Sequence, residues 1–213
     1  METFSIGAAV RFGWEIFKKR PLFFAGMTVL IGLISWVIGA FVGALTSASS
    51  SGGVAFIAFV LNLVLSSLLN MGIISYALKA HDAPDTVSFE ALWNPQQFLN
   101  YLIMTLLVFV CVGIGFILLI VPGVIIALML MFAPYLVIDR GLAPLDAMKE
   151  SKRITDGHKM TLALFALALF GLNLLGALAV LLGLLVTIPV TMLAIAHAYR
   201  HFEHKAGEMV AKA

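Results

Sequence analysis

The chain has 213 residues, of which 62% are hydrophobic and only 11% are charged. Soluble globular domains contain about 25% charged residues, so this composition excludes an ordinary soluble domain and predicts a membrane protein with several spans. The net charge of +2, with acidic and basic residues intermixed, argues against nucleic-acid binding. Long uncharged runs without strict alternation predict helices and not barrel strands, hence an all-α membrane helical bundle.

The first charged segment, residues 1–20, carries apolar side chains at helical spacing. We expect an amphipathic helix lying along the membrane interface. The uncharged stretch that follows, residues 21–78, is too long for one span of about 20 residues. The polar run TSASSSGG at 46–53 divides it. The two predicted spans of this first hairpin are 22–45 and 54–78.

A second charged segment, residues 79–97, is predicted to be interfacial, with a shorter amphipathic helix in VSFEALWNPQQ, residues 87–97, that Pro95 should end. The uncharged stretch after it would be roughly 60 Å long as one helix at 1.5 Å per residue, about twice the hydrocarbon thickness. We therefore expect the chain to reverse between Gly113 and Gly123, and Pro122 suits the first turn of a new helix. Pro134 is predicted to kink that returning helix. The spans of this second hairpin are 98–120 and 122–138.

The third charged segment, residues 139–159, has Pro144 at a helix start and Gly157 at a helix end, which predicts another interfacial helix. Gly183 and Pro189 divide the last uncharged stretch less sharply. The spans of this third hairpin are 160–181 and 184–203, followed by a tail at 204–213. The chain is thus predicted to be one membrane domain with six spans in three similar units.

All Asp, Glu, Lys and Arg residues fall into four segments, namely 2–20, 79–90, 139–159 and 200–212. With six spans, these segments share one side of the membrane. Because Lys and Arg are retained on the cytoplasmic side, we expect both termini to be cytoplasmic. The four tyrosines at that end are expected to form an interfacial aromatic belt: Tyr76, Tyr101, Tyr135 and Tyr199.

Ionisable side chains are almost absent from the interior of the predicted spans, and His197 near one end is the exception. A proton relay or an intramembrane catalytic site would need such groups at depth. Phosphate-binding, nucleophile-elbow and HExxH motifs are also absent from the sequence. We therefore expect a non-enzymatic protein without a cofactor.

Polar side chains within the predicted spans form one candidate site: Asn62, Ser66, Asn70 and Asn173. The first three share a face of the second span because they follow one another at intervals of four residues. They are candidates for lining a solute pathway or a headgroup site. The alternative is hydrogen bonding between packed helices.

The last span ends in a second candidate set, with helical spacing on one face: His197, His201, His204 and Glu208. Side chains at i and i+4 can bind a transition metal. Histidines beside arginine and lysine are equally typical of a basic interfacial helix end.

Basic side chains next to the predicted spans are candidates for contacts with anionic membrane lipids: Lys18, Lys19, Arg20, Lys149, Lys152 and Arg153. Each basic side chain near a membrane surface contributes about 1 kcal/mol to such attraction.

Residues 121–151, VPGVIIALMLMFAPYLVIDRGLAPLDAMKES, resemble the core of the YciC-like inner-membrane proteins of bacteria. They are also similar to the membrane domain attached to some glycerophosphodiester phosphodiesterases. The matching features are Pro122-Gly123, Ala133-Pro134, Asp139, Gly141 and the segment Met148 to Ser151, with a weaker match at RFGWEIFKKRPLFF, residues 11–24. The resemblance implies six helices in the bacterial inner membrane, and no catalytic residues can be carried over from it.

Two functions fit these features. In the first, the protein organises lipids or scaffolds a partner membrane protein, or assembles with copies of itself. In the second, it is a small transporter or channel for a neutral or lipidic solute, lined by the polar side chains of the spans.

Overall fold

The structure, a computed structural model, describes residues 4–48, 51–93, 95–179 and 182–211, the last five by backbone only. These parts of the chain contain α-helices, short 3-10 turns and no strand, which confirms the all-α class. Their helices are α1 Ile6–Lys19, α2 Pro21–Ser47, α3 Gly52–Asp82, α4 Phe98–Leu118, α5 Ile120–Leu130, α6 Ala133–Arg140, α7 Pro144–Thr155, α8 Lys159–Leu178 and α9 Leu184–Ala211.

Several helical stretches have the length and composition of membrane spans, as the sequence predicts. Within the described ranges there are five of them: Pro21–Ser47, Gly52–Asp82, Phe89–Leu118, Ile120–Arg140 and Lys159–Leu178. The predicted sixth span lies in α9 and is not among them. Thr187, Pro189 and His197 interrupt the apolar residues of that helix.

α1 packs along α9. The side chain of Ser5 caps its first turn by accepting a hydrogen bond from the N–H of Ala8, at 3.3 Å. α1 buries one face that includes Ala9 and Phe17, while its charged side chains stay exposed. Gly13 lies directly against the backbone carbonyl of Val190, so the two helix backbones approach closely.

The predicted interfacial helix in the second charged segment is wrong. α3 continues to Asp82, and two short 3-10 turns then replace the helix, at Phe89–Leu92 and Pro95–Gln97. Ala83 precedes Pro84, and a residue before proline is disfavoured in the helical conformation. The segment folds back along α3, where the carbonyl of Leu92 lies against Gly72. Asn94 is outside the described residues.

The break predicted between residues 113 and 123 lies at Leu119, whose backbone is extended. Pro122 is in the first turn of α5, where its missing N–H leaves no helical hydrogen bond unmade. α4 and α5 pack against each other beside this break. Gly115 and Gly123 allow the close approach, since a Cβ on Gly115 would lie 2.9 Å from the Cα of Gly123.

The helix break before Pro134 is stabilised by a serine on α7. The chain leaves the helix after Leu130, and α6 begins with Pro134 in its first turn. The Ser151 hydroxyl donates a hydrogen bond to the carbonyl of Met129, at 2.7 Å, and accepts one from the N–H of Phe132, at 3.3 Å. α7 therefore satisfies backbone groups that the interrupted helix leaves unpaired.

We expect Ser151→Ala to lower the free energy of unfolding by about 1–2 kcal/mol, because the buried N–H of Phe132 loses its acceptor. Thermal unfolding of the protein in a neutral detergent measures this change. Ser35→Ala is the matched control, since the Ser35 hydroxyl bonds only to the carbonyl of Ile31 in its own helix and is exposed. If Ser151→Ala and Ser35→Ala unfold at the same midpoint temperature, Ser151 does not stabilise the helix break as its hydrogen bonds indicate.

α8 and α9 pack together close to the residues that join them. Gly176, in α8, contacts Gly183 and Thr187 near the start of α9. At its other end α9 continues as a helix to Ala211, so the predicted tail at 204–213 is helical over most of its length. Residues 180 and 181, within the predicted fifth span, are outside the described residues.

The buried core is concentrated at the charged end of the helices. The large side chains buried there include Phe24, Met71, Met104, Phe132, Phe165, Tyr199 and Phe202. Further from this end, large apolar side chains are exposed, among them Trp36, Phe41, Phe56, Phe59, Phe109 and Ile117. The helices thus share one packed base, and their distal parts present a broad apolar surface.

Candidate functional site: the charged base of the bundle

Contacts at the base bring the four charged segments together. The guanidinium of Arg20 donates hydrogen bonds to the backbone carbonyls of Asp85 and Val87, at 3.2 and 3.1 Å. Arg200 in α9 contacts carboxylates of the second and third segments. These contacts therefore place the four charged segments at the same end of the helices.

Arg200 is the centre of this network. Its Nη2 lies 2.6 Å from Oδ2 of Asp82 at the end of α3, and its Nη1 lies 2.7 Å from Oδ2 of Asp139 in α6. The hydroxyl of Tyr199 donates to that same Asp139 oxygen, at 2.8 Å. Arg200 is 27% exposed and Asp139 17%, so the network is partly shielded from water. One guanidinium therefore connects three helices.

The tyrosines do not form the expected interfacial belt. All four are buried at the base: Tyr76, Tyr101, Tyr135 and Tyr199. The ring of Tyr135 stacks on that of Tyr199, with centroids 5.4 Å apart. They lie at the predicted ends of the spans, but packing at the base turns their side chains inward, away from lipid.

Histidines from α3 and α9 also meet at the base. Nε2 of His81 lies 3.2 Å from Nδ1 of His197, and the ring of Phe12 stacks on His197 with centroids 4.4 Å apart. Farther along α9, His201 contacts the ring of Phe4. His197 and His201, two of the predicted metal ligands, therefore have different neighbours.

The predicted metal ligands do not converge in the described part of the chain. There, no three His, Cys, Asp or Glu side chains are placed to hold a metal ion. His197 pairs with His81, which is not in the predicted set. The side chain of Glu208, the fourth predicted ligand, lies outside the described residues.

The polar side chains of the predicted spans bond mainly within their own helices. The hydroxyl of Ser66 donates to Asn62 at 3.4 Å, and the amide of Asn70 donates to the carbonyl of Ser66 at 2.8 Å. Asn173 differs, because its amide donates to the hydroxyl of Thr191 at 3.0 Å and so joins α8 to α9. For Asn173 the structure supports the helix-packing interpretation.

The predicted headgroup residues have different roles. The guanidinium of Arg20 is hydrogen-bonded to two backbone carbonyls. Arg153 forms two hydrogen bonds to Glu150, at 2.8 and 2.6 Å. Lys18 lies over the ring of Trp14, 5.8 Å from its centroid, and is exposed. Three further lysines are exposed: Lys19, Lys149 and Lys152.

A groove of about 410 Å³ lies between the end of α6 and one face of α7. Its lining residues are Arg140, Leu142, Asp146, Lys149, Glu150 and Arg153. The guanidinium of Arg153 holds the pKa of Glu150 below its usual range, so this carboxylate is charged at neutral pH. Arg140 was not identified from the sequence as a residue of this groove, because its position beside α7 depends on the turn at Gly141.

Comparisons with known proteins identify distant relatives without an assigned activity. The chain is 24% identical, over an alignment 237 residues long, to uncharacterized proteins of Mycobacterium tuberculosis and Mycobacterium bovis. These alignments cover 97% of this chain and 70% of each relative. No family model and no solved structure matches the chain.

Proposed function

We propose that the chain is a six-span protein of the bacterial inner membrane, with both termini in the cytoplasm, that organises anionic lipids around its charged base. In this proposal the spans form three hairpins, α2 with α3, α4 with α5 and α6, and α8 with α9. Packing within each of these groups supports the arrangement. The resemblance of residues 121–151 to the YciC-like proteins and the bacterial origin of the relatives support the location.

The observation that carries the proposal is the convergence of the four charged segments on one end of a mostly apolar helical structure. Exposed lysines surround that end, and exposed apolar side chains cover the distal parts. Such a surface fits lipid, with acyl chains against the helices and headgroups beside the lysines.

We assign the protein no catalytic role. The best-shielded carboxylates at the base are held in ion pairs: Asp139 with Arg200, and Glu150 with Arg153. Scaffolding of a partner membrane protein, or assembly of several copies, would use the apolar distal surfaces instead of the base.

Transport of a neutral or lipidic solute is the second candidate. The observation that favours it is the exposed amide of Asn70, one helical turn from the half-buried Ser66 on α3. Its amide donates one hydrogen bond to the carbonyl of Ser66 within the same helix, and a solute would supply a polar partner from outside the helix.

Lipid organisation predicts that vesicles containing the protein enrich anionic lipid around it. Spin-labelled phosphatidylglycerol in phosphatidylcholine vesicles should show a larger motionally restricted fraction than spin-labelled phosphatidylcholine does. The difference should decrease at 1 M salt, where the Debye length falls to about 3 Å.

The same vesicles distinguish the two candidate functions. Equal restricted fractions for both lipids would contradict lipid organisation. Flux of a tracer solute that Asn62→Leu and Asn70→Leu abolish would establish transport instead. Ser35→Ala, a change at an exposed hydroxyl on another helix, is the control for both measurements.

A further inference from the structure

We propose that the groove between α6 and α7 is a binding site for the phosphate of an anionic lipid, with Arg140 and Lys149 as its contact residues. This inference rests on the proposed function and specifies where lipid recognition is concentrated. Lys149, Lys152 and Arg153 look equivalent in the sequence, whereas the structure places Lys149 and Arg153 in one groove together with Arg140 and leaves Lys152 outside it.

Arg140 forms ion pairs with two carboxylates but is hydrogen-bonded to neither within the described part of the chain. Its guanidinium lies 3.5 Å from a carboxylate oxygen of Glu150 and 3.7 Å from one of Glu203. The side chain is 46% exposed. A planar guanidinium with unoccupied donors matches two phosphate oxygens at once.

Lys149 supplies a second cation on the same groove. Its Nζ lies 3.8 Å from Asp146, and its side chain is 79% exposed. The long stem of a lysine can direct its ammonium toward a phosphate held by Arg140. An arginine fork and a mobile lysine together suit a single phosphate group.

Of the other three charged groups that line the groove, Glu150 and Arg153 pair with each other, and Asp146 lies 3.8 Å from Lys149. Glu150 accepts both hydrogen bonds from Arg153, which neutralises the pair and fixes its geometry. The carboxylate of Glu150 therefore repels an incoming anion less than an unpaired one would. The pair forms one wall of the groove, and the available positive charge remains on Arg140 and Lys149.

Apolar residues beside the groove favour a lipid phosphate over a free phosphate ion. Leu142 lines the groove, and Leu145, at the start of α7, is 59% exposed. An acyl chain or glycerol backbone next to the bound phosphate would cover this apolar surface. Free phosphate would gain nothing from it.

Native mass spectrometry of the protein in a neutral detergent tests the site, with short-chain phosphatidylglycerol as the probe. Arg140→Gln is expected to weaken the first binding step about tenfold, because a charge-assisted hydrogen-bond pair is lost, and Lys149→Gln a few-fold. Arg140→Lys should recover part of the loss.

Arg11→Gln is the matched control, since it removes the same charge from an exposed arginine of α1 that does not line the groove. We expect it to change the first step by less than twofold. Equal weakening by Arg11→Gln and Arg140→Gln would overturn the groove as a specific site while leaving general lipid attraction intact. If the unchanged protein binds phosphatidylglycerol no better than phosphatidylcholine, the proposed function is contradicted as well.

A second arm distinguishes the two sources of phosphate. Millimolar inorganic phosphate should leave phosphatidylglycerol binding unchanged, whereas displacement of the lipid by inorganic phosphate would assign the groove to a free anion and overturn the lipid assignment. Unfolding midpoints of all variants should agree within a few degrees, because the substituted side chains are exposed.

Discussion

Replacing Arg200 by methionine is expected to lower the free energy of unfolding by about 3 kcal/mol. Methionine keeps much of the apolar stem but removes the guanidinium that pairs with Asp82 and Asp139. Removing one partner from a shielded ion pair leaves the other charge without compensation, which costs about 3–5 kcal/mol in buried sites. Because Arg200 is partly exposed, we expect the lower end of this range.

Thermal unfolding in neutral detergent measures the effect, and Arg153→Met is the matched control. Arg153 is also an arginine bonded to a carboxylate, but it is more exposed and its partner Glu150 lies one turn away on the same helix. Exposed pairs of that kind contribute less than about 1 kcal/mol. A similar loss in both variants would mean that Arg200 does not connect the helices as its contacts indicate.

Gly13→Ala is expected to destabilise the protein by about 2–3 kcal/mol. A Cβ at this position would lie 2.5 Å from the carbonyl oxygen of Val190, which belongs to the helix backbone and has little freedom to move. α1 would have to shift away from α9, and such overpacking costs about 1–3 kcal/mol. The shift would also loosen the contact between Phe12 and His197.

Gly7→Ala tests the same substitution on the same helix without the close contact. Gly7 is exposed, and the nearest atom to a Cβ there is the hydroxyl of Ser5, at 4.0 Å. Alanine has the higher helix propensity, so this variant should be as stable as the unchanged protein or slightly more so. If both variants unfold at the same midpoint, the close approach of α1 to α9 does not contribute to stability.

Much of the helical organisation was predictable from local features of the chain. The helix break near Pro122 follows from length and from the missing N–H of proline, and the structure has it at Leu119. The break before Pro134 has the same origin. The second charged segment was mispredicted, because its brief apolar spacing suggested a helix while Pro84 and Pro95 prevent one.

The candidate site was less predictable, because basic side chains look alike in sequence. Arg20 has the same local setting as its neighbour Lys19, yet only the fold places carbonyl groups of the second charged segment around its guanidinium. Arg140 showed no signal of its own, since it becomes a groove residue only when α7 packs beside α6.

The all-α class, the apolar helices and the grouping of charge into four segments follow from the amino-acid sequence alone. These properties depend on composition and on the spacing of residues along one chain. The pairing of charges, the exposure of the remaining cations and the inward orientation of the tyrosines follow only from the folded structure. Those outcomes depend on contacts between distant residues, such as Asp82 with Arg200, which no local pattern specifies.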